Sequence, residues 1–167
     1  MEESKREWGP VDRHGTRLLR WLLGLVLGAT ALGKSLDLSG FAEVVGTYQV
    51  LPEWTWLPAG VALTAIEWAV AVWLVSGRQV AQAALAAAAL HTVFVVWATV
   101  ALVRGLDIPN CGCFGVFYAR PLTLATVFED VVILIVCLTV YGLARRHQTR
   151  IQLATSPGPS SGGAATL

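Results

Sequence analysis

The run "VAQAALAAAALHTVFVVWATVALV", residues 80–103, contains no Asp, Glu, Lys or Arg. A helix rises about 1.5 Å per residue, so a run of this length crosses the roughly 30 Å hydrocarbon core of a bilayer. Inside that core each backbone polar group must find its partner within the segment, which a lone span achieves only as a helix. Three further runs read the same way. Residues 18–36, "LLRWLLGLVLGATALGKSL", are interrupted only by Arg20 near the start and Lys34 near the end, where long basic side chains can snorkel. Residues 56–75 carry one acid, Glu67, and residues 122–143 carry Glu129, Asp130 and Cys137. The expected fold is therefore all-α: an integral membrane bundle of four transmembrane helices over residues 17–144. A polar arm, 1–16, precedes it. The tail, 145–167, ends in "SPGPSSGGAATL", a composition that predicts disorder.

Composition agrees. The chain of 167 residues is 55% hydrophobic and 14% charged, against roughly 25% charged in soluble domains. A net charge of +1 and the lack of a basic run interleaved with aromatics exclude a nucleic-acid surface. A cleaved signal peptide is a weaker reading of the first run, which is longer than a usual signal core and is followed by three more spans. Orientation follows from the basic residues. Lys5, Arg6, Arg13, Arg17, Arg20, Arg78, Arg145, Arg146 and Arg150 fall on one side, and only Lys34, Arg104 and Arg120 on the other. Both termini are thus expected in the cytoplasm, with the loops near 37–55 and 104–121 outside and the lipid membrane as the principal surroundings.

The third loop holds "IPNCGCFG", residues 108–115, with two of the three cysteines one residue apart. Outside the cytoplasm thiols can be oxidised and disulfides persist. A pair separated by one residue closes only a small ring, and labile disulfides of that kind suit exchange chemistry. Gly112 and Gly115 supply backbone freedom, and Pro109 and Asn110 a turn. Three other readings of Cys111 and Cys113 stay open here: a static structural disulfide, half of a metal site, or two unreacted thiols. Metal binding needs more ligands, and a site including His91 would require the loop to dip into the bundle. No metal site is expected.

Taken together, the loop "CGCFG", the first-helix ending "GKSLDLSGFAEVVGTYQVLP", the acid in "LPAGVALTAIEWAVAVWLV" and the opening "PLTLATVFEDVVIL" resemble the MauE (methylamine utilisation protein E) family. That family lies within the DoxX-like four-helix membrane proteins, and the likeness covers roughly residues 17–143. The resemblance implies a thiol-disulfide role in maturing the small subunit of methylamine dehydrogenase or another exported protein, with a secreted thioredoxin-fold partner. It also implies that Cys111 and Cys113 are the redox pair, and it places Lys34, Asp37, Glu67 and Asp130 on recurring polar positions. Cys137 matches no part of the pattern and reads as a packing residue.

Ionisable groups deep in a span are functional candidates. Glu67, His91 and Asp130, with Lys34 reaching in from its helix end, are expected to share a polar seam that carries protons towards an electron carrier such as a membrane quinone. They could equally serve only to fix helix register. Two other functional classes remain beside thiol exchange: a non-catalytic assembly subunit with a structural loop disulfide, and a small-molecule or ion carrier using the buried acids.

Overall fold

The structure, a computed structural model, describes residues 10–155. Its elements are α1 (Pro10–Ser35), α2 (Leu38–Thr47), a 3₁₀ turn (Glu53–Thr55), α3 (Trp56–Ser76), α4 (Val80–Val103) and α5 (Leu124–Thr155). Among the described residues α1, α3, α4 and α5 are long and apolar enough to cross a membrane. The protein is an all-helical, multi-pass membrane protein.

Two helices outrun their apolar stretches. α1 opens on Pro10, a residue well suited to a first helical position because its missing N–H has no intrahelical role there. α5 continues past residue 145 to Thr155, since no Gly or Pro interrupts residues 143–155. The remainder of the expected tail, and the first nine residues of the arm, lie outside the described residues.

The bundle is two tight pairs, α1 with α3 and α4 with α5, which meet mainly through α1–α5 and α3–α4 contacts. Small residues make each pair close. Ala83, Ala84, Ala87 and Ala88 share one face of α4 and are buried in a cluster with Cys137 and Val140 of α5. Cys137 is wholly inaccessible there, a packing residue. Gly24 of α1 lies where an added Cβ would meet the Ala71 carbonyl at 3.2 Å, whereas Gly28 faces open space. Close packing thus rests on Gly24 and not on Gly28.

At the end remote from the cysteines, α3 and α4 are joined through Gly77, whose φ of +71° stops α3 in a left-handed cap. The last carbonyls of α3 are satisfied from elsewhere. Arg20 Nη1 donates to Leu74 O at 3.0 Å and to Val75 O at 3.3 Å. Instead of snorkelling to solvent, Arg20 ties α1 to the end of α3.

The cysteine end is covered by α2. Asp37 is its N-cap, accepting from Gly40 N at 2.8 Å and Ser39 Oγ at 2.9 Å. Those bonds, the Gly40 N–H first, hold the Asp37 carboxyl below its usual range. Phe41, Ala42 and Val44 of α2 turn inward, so this helix is a lid on the bundle.

Candidate functional site

The segment between α4 and α5 folds back onto the bundle. Its two limbs are stitched by backbone bonds from Cys111 N to Arg120 O (2.7 Å) and Leu122 N to Ile108 O (2.9 Å). Asn110 shapes the bend, accepting from Gly112 N at 3.0 Å and donating Nδ2 to Gly115 O at 3.1 Å. The turn then presses against α1. Gly115 sits at φ +72°, and an added Cβ would lie 2.5 Å from the Gly33 carbonyl oxygen. Gly112, at φ +77°, packs on Val44 and Phe41 of α2. Tyr48, just after α2, donates its hydroxyl to Cys111 O at 2.8 Å, and burial keeps that phenol protonated. Arg104 in turn donates to Tyr48 O at 3.0 Å.

This scaffold fixes the two sulfurs. Both cysteines are free thiols, half-buried, with Sγ atoms in hydrogen-bond contact at 2.8 Å. They differ in acidity. The hydrogen bond with Cys113 pulls the Cys111 thiol down to about 6, against the effect of burial and with help from the Arg120 charge. The same bond, then burial, pushes Cys113 up. An ionised Cys111 can only accept, so the Cys113 S–H is then the donor. One thiolate and one protonated neighbour is the arrangement of an attacking and a resolving cysteine. Arg120 is held in turn by a two-pronged pair with Glu129, at 2.8 and 2.9 Å.

Below the pair lies a cavity of about 440 Å³ that reaches from the cysteines into the bundle. Lys34, Glu67, His91, Asp130, Cys111 and Cys113 all line it. The loop does dip into the bundle, and the thiols and the span ionisable groups face one space. Lys34 and Glu67 form an ion pair, both almost entirely buried. The Lys34 ammonium also sits 5.4 and 5.5 Å from the ring centres of Phe41 and Phe94. His91 Nδ1 donates to the Ala87 carbonyl at 2.9 Å, a bond that leaves Nε2 as an acceptor. Two buried polar atoms of the lining, Glu67 Oε2 and Trp97 Nε1, have no hydrogen-bond partner among the described residues.

Of the candidate site residues named from sequence, Lys34, Glu67, His91, Asp130, Cys111 and Cys113 line this cavity, and Asp37 stands away from it, occupied with capping α2. Sequence reading missed Tyr48, Trp97 and the Arg120–Glu129 pair. A Trp inside a span carries a donor that needs a partner, a signal that was available for Trp97. Among the described residues no cluster of three His, Cys, Asp or Glu side chains suits a metal ion.

Fold and site define a class: a four-span helical membrane protein with a dithiol loop seated over a largely apolar cavity that holds a few ionisable side chains. Residues 13–143 match the family described as methylamine utilisation protein MauE. The methylamine utilization protein MauE of Paracoccus denitrificans is 34% identical over 122 residues, which is 73% of this chain and 66% of that protein. The chain belongs to the MauE family, a DoxX-like family of multi-span membrane proteins. The match spans just under two thirds of that relative's length. No solved structure matches the chain.

Proposed function

We propose that the protein is a membrane thiol-disulfide exchange protein, with Cys111 and Cys113 as its redox pair and an extracytoplasmic thioredoxin-fold protein as its partner. The observation that carries this reading is the geometry of the pair: two free, half-buried thiols with sulfurs 2.8 Å apart in a loop stitched onto the bundle. In the exchange, the Cys111 thiolate attacks a partner disulfide to give a mixed disulfide. Cys113 then attacks Cys111, closing the internal S–S bond and releasing the partner as a dithiol. The same steps run in reverse when the partner arrives reduced. The loop faces the extracytoplasmic side, as the nine-to-three division of basic residues supports. The family name supports a link to methylamine utilisation, and the client proposed here is the small subunit of methylamine dehydrogenase or another exported protein.

Trapping tests this. Cys113→Ser should accumulate a reductant-sensitive adduct between Cys111 and a thioredoxin-fold protein in membranes, identified by mass spectrometry, and Cys111→Ser should not. Well-folded variants that form no adduct would favour a non-catalytic assembly subunit whose loop merely holds a partner.

A further inference from the structure

The cavity below the cysteines has a composition of its own. Its walls are largely apolar, it lies along the membrane-spanning segments, and its volume of about 440 Å³ falls among those of small-molecule sites. Two of its polar atoms are orphans: the Trp97 indole N–H, a donor only, and Glu67 Oε2. Glu67 itself is fully buried. Leaving such atoms without partners is costly in hydrocarbon, and each marks a place where a bound molecule would supply the missing bond. The nearby Thr30 does not fill that role, since its hydroxyl donates to Leu27 O at 2.8 Å.

We propose that this cavity binds the head group of a membrane quinone, which accepts the electrons of the Cys111–Cys113 pair. The proposal rests on the exchange reading above and deepens it by naming the acceptor. A quinone ring is flat and apolar with a carbonyl oxygen at each end, so it needs two donors between aromatic or aliphatic walls. Trp97 Nε1 is one donor. The Lys34 ammonium, which carries three N–H groups and gives one to Glu67, is the other, flanked by Phe41 and Phe94. A fatty acyl chain would fill the volume and leave both donors unanswered. Entry from lipid has a structural basis: Ile66 of α3 and Val93 of α4 line the cavity and are also about half exposed, and these two helices are joined only at the far end.

The step balances. The Cys111 thiolate and the Cys113 thiol lose two electrons and one proton and form one S–S bond, while the quinone gains both electrons, that proton and a second one taken from water to become the quinol. Lys34 steadies the negative charge that grows on the near carbonyl oxygen during reduction. His91 Nε2 and Glu67 Oε2 are the acceptors on the cavity wall that can hold these two protons on their way to the ring. The renewed disulfide then oxidises a partner dithiol, which sets the direction of exchange.

The test uses the full-length protein in quinone-free lipid nanodiscs, reduced and desalted, with decylubiquinone as probe. The expected result is one quinol formed per internal disulfide, with an azido-ubiquinone photolabelling the α4 peptide that contains Trp97. Trp97→Phe keeps the ring and removes the N–H. It should raise the quinone concentration for half-maximal rate about tenfold, the size of one lost hydrogen bond. Exchange with an oxidised thioredoxin-fold probe, measured on the same sample, separates the two readings. Normal exchange with neither quinol nor labelling overturns the quinone site and leaves the exchange reading standing. Labelling displaced equally well by oleate identifies a lipid groove and overturns it too. Loss of exchange and of quinol formation together removes both readings.

Discussion

The contact between Gly115 and Gly33 holds the dithiol loop on the bundle, and replacing Gly115 with Ala isolates its contribution. Two penalties arise at that position. The residue sits at φ +72°, a left-handed conformation that costs a residue with a Cβ roughly 1–2 kcal/mol. The new methyl would also lie 2.5 Å from Gly33 O and 3.0 Å from Lys34 N, both backbone atoms that cannot rotate away. Overpacking of this kind costs about 1–3 kcal/mol. Gly105 is the matched reference: its φ is +69°, yet nothing lies within 4 Å of an added Cβ. Gly105→Ala should therefore lose only the conformational part, roughly 1–2 kcal/mol, and Gly115→Ala roughly 2–5 kcal/mol in all. Unfolding in sodium dodecyl sulfate mixed micelles, followed by circular dichroism, measures the difference. Alkylation of Cys113 should also quicken in Gly115→Ala as the loop lifts. Equal destabilisation by the two substitutions, with unchanged Cys113 protection, would refute the docking of the loop through these glycines.

Two more outcomes are expected. Alkylation of Cys111 by iodoacetamide should rise with pH around a midpoint of about 6, because the reactive thiolate forms as pH climbs through that value. In Cys113→Ala the midpoint should move up towards the ordinary thiol value of about 8.5, and an unmoved midpoint would rule out the sulfur–sulfur bond as the cause. Glu67→Ala leaves the buried Lys34 ammonium without its partner and should destabilise the protein by about 3–5 kcal/mol in the same micelle titration. Adding Lys34→Met to that variant should restore most of the loss, and a double variant no more stable than the single one would contradict the pairing.

The spans were legible because length and apolarity suffice to define them: residues 80–103 as read from sequence coincide with α4. Ends were less legible: α5 continues into polar sequence with no Gly or Pro to stop it, and α1 begins ahead of its apolar run, at Pro10. The stretch after Asp37 reads from sequence only as part of an outer loop near 37–55. Its helix, with Asp37 as cap, depends on a local Asp-to-Gly40 bond that composition does not reveal. In the site, individual ionisable residues announced themselves by their rarity in apolar runs. Their convergence on one cavity did not, because it depends on which helix faces turn inward. The approach of Gly115 to Gly33 joins residues 82 positions apart, and no single-sequence pattern encodes such a contact.

The Lys34–Glu67 pair has a consequence for how the chain is made. A lone carboxylate such as Glu67 at the centre of a span is opposed by about 2.5–3.5 kcal/mol on insertion, and Lys34 at the end of α1 is the cation that reaches it. α1 and α3 are successive spans that pack along each other, so the two charges belong to one hairpin and can neutralise each other before α4 and α5 leave the ribosome. The cavity, by contrast, draws residues from all four spans and closes only when the last has been threaded. Assembly thereby has two stages built into it: the charges can pair within the first hairpin, and the cavity beneath the thiols closes only with the last span.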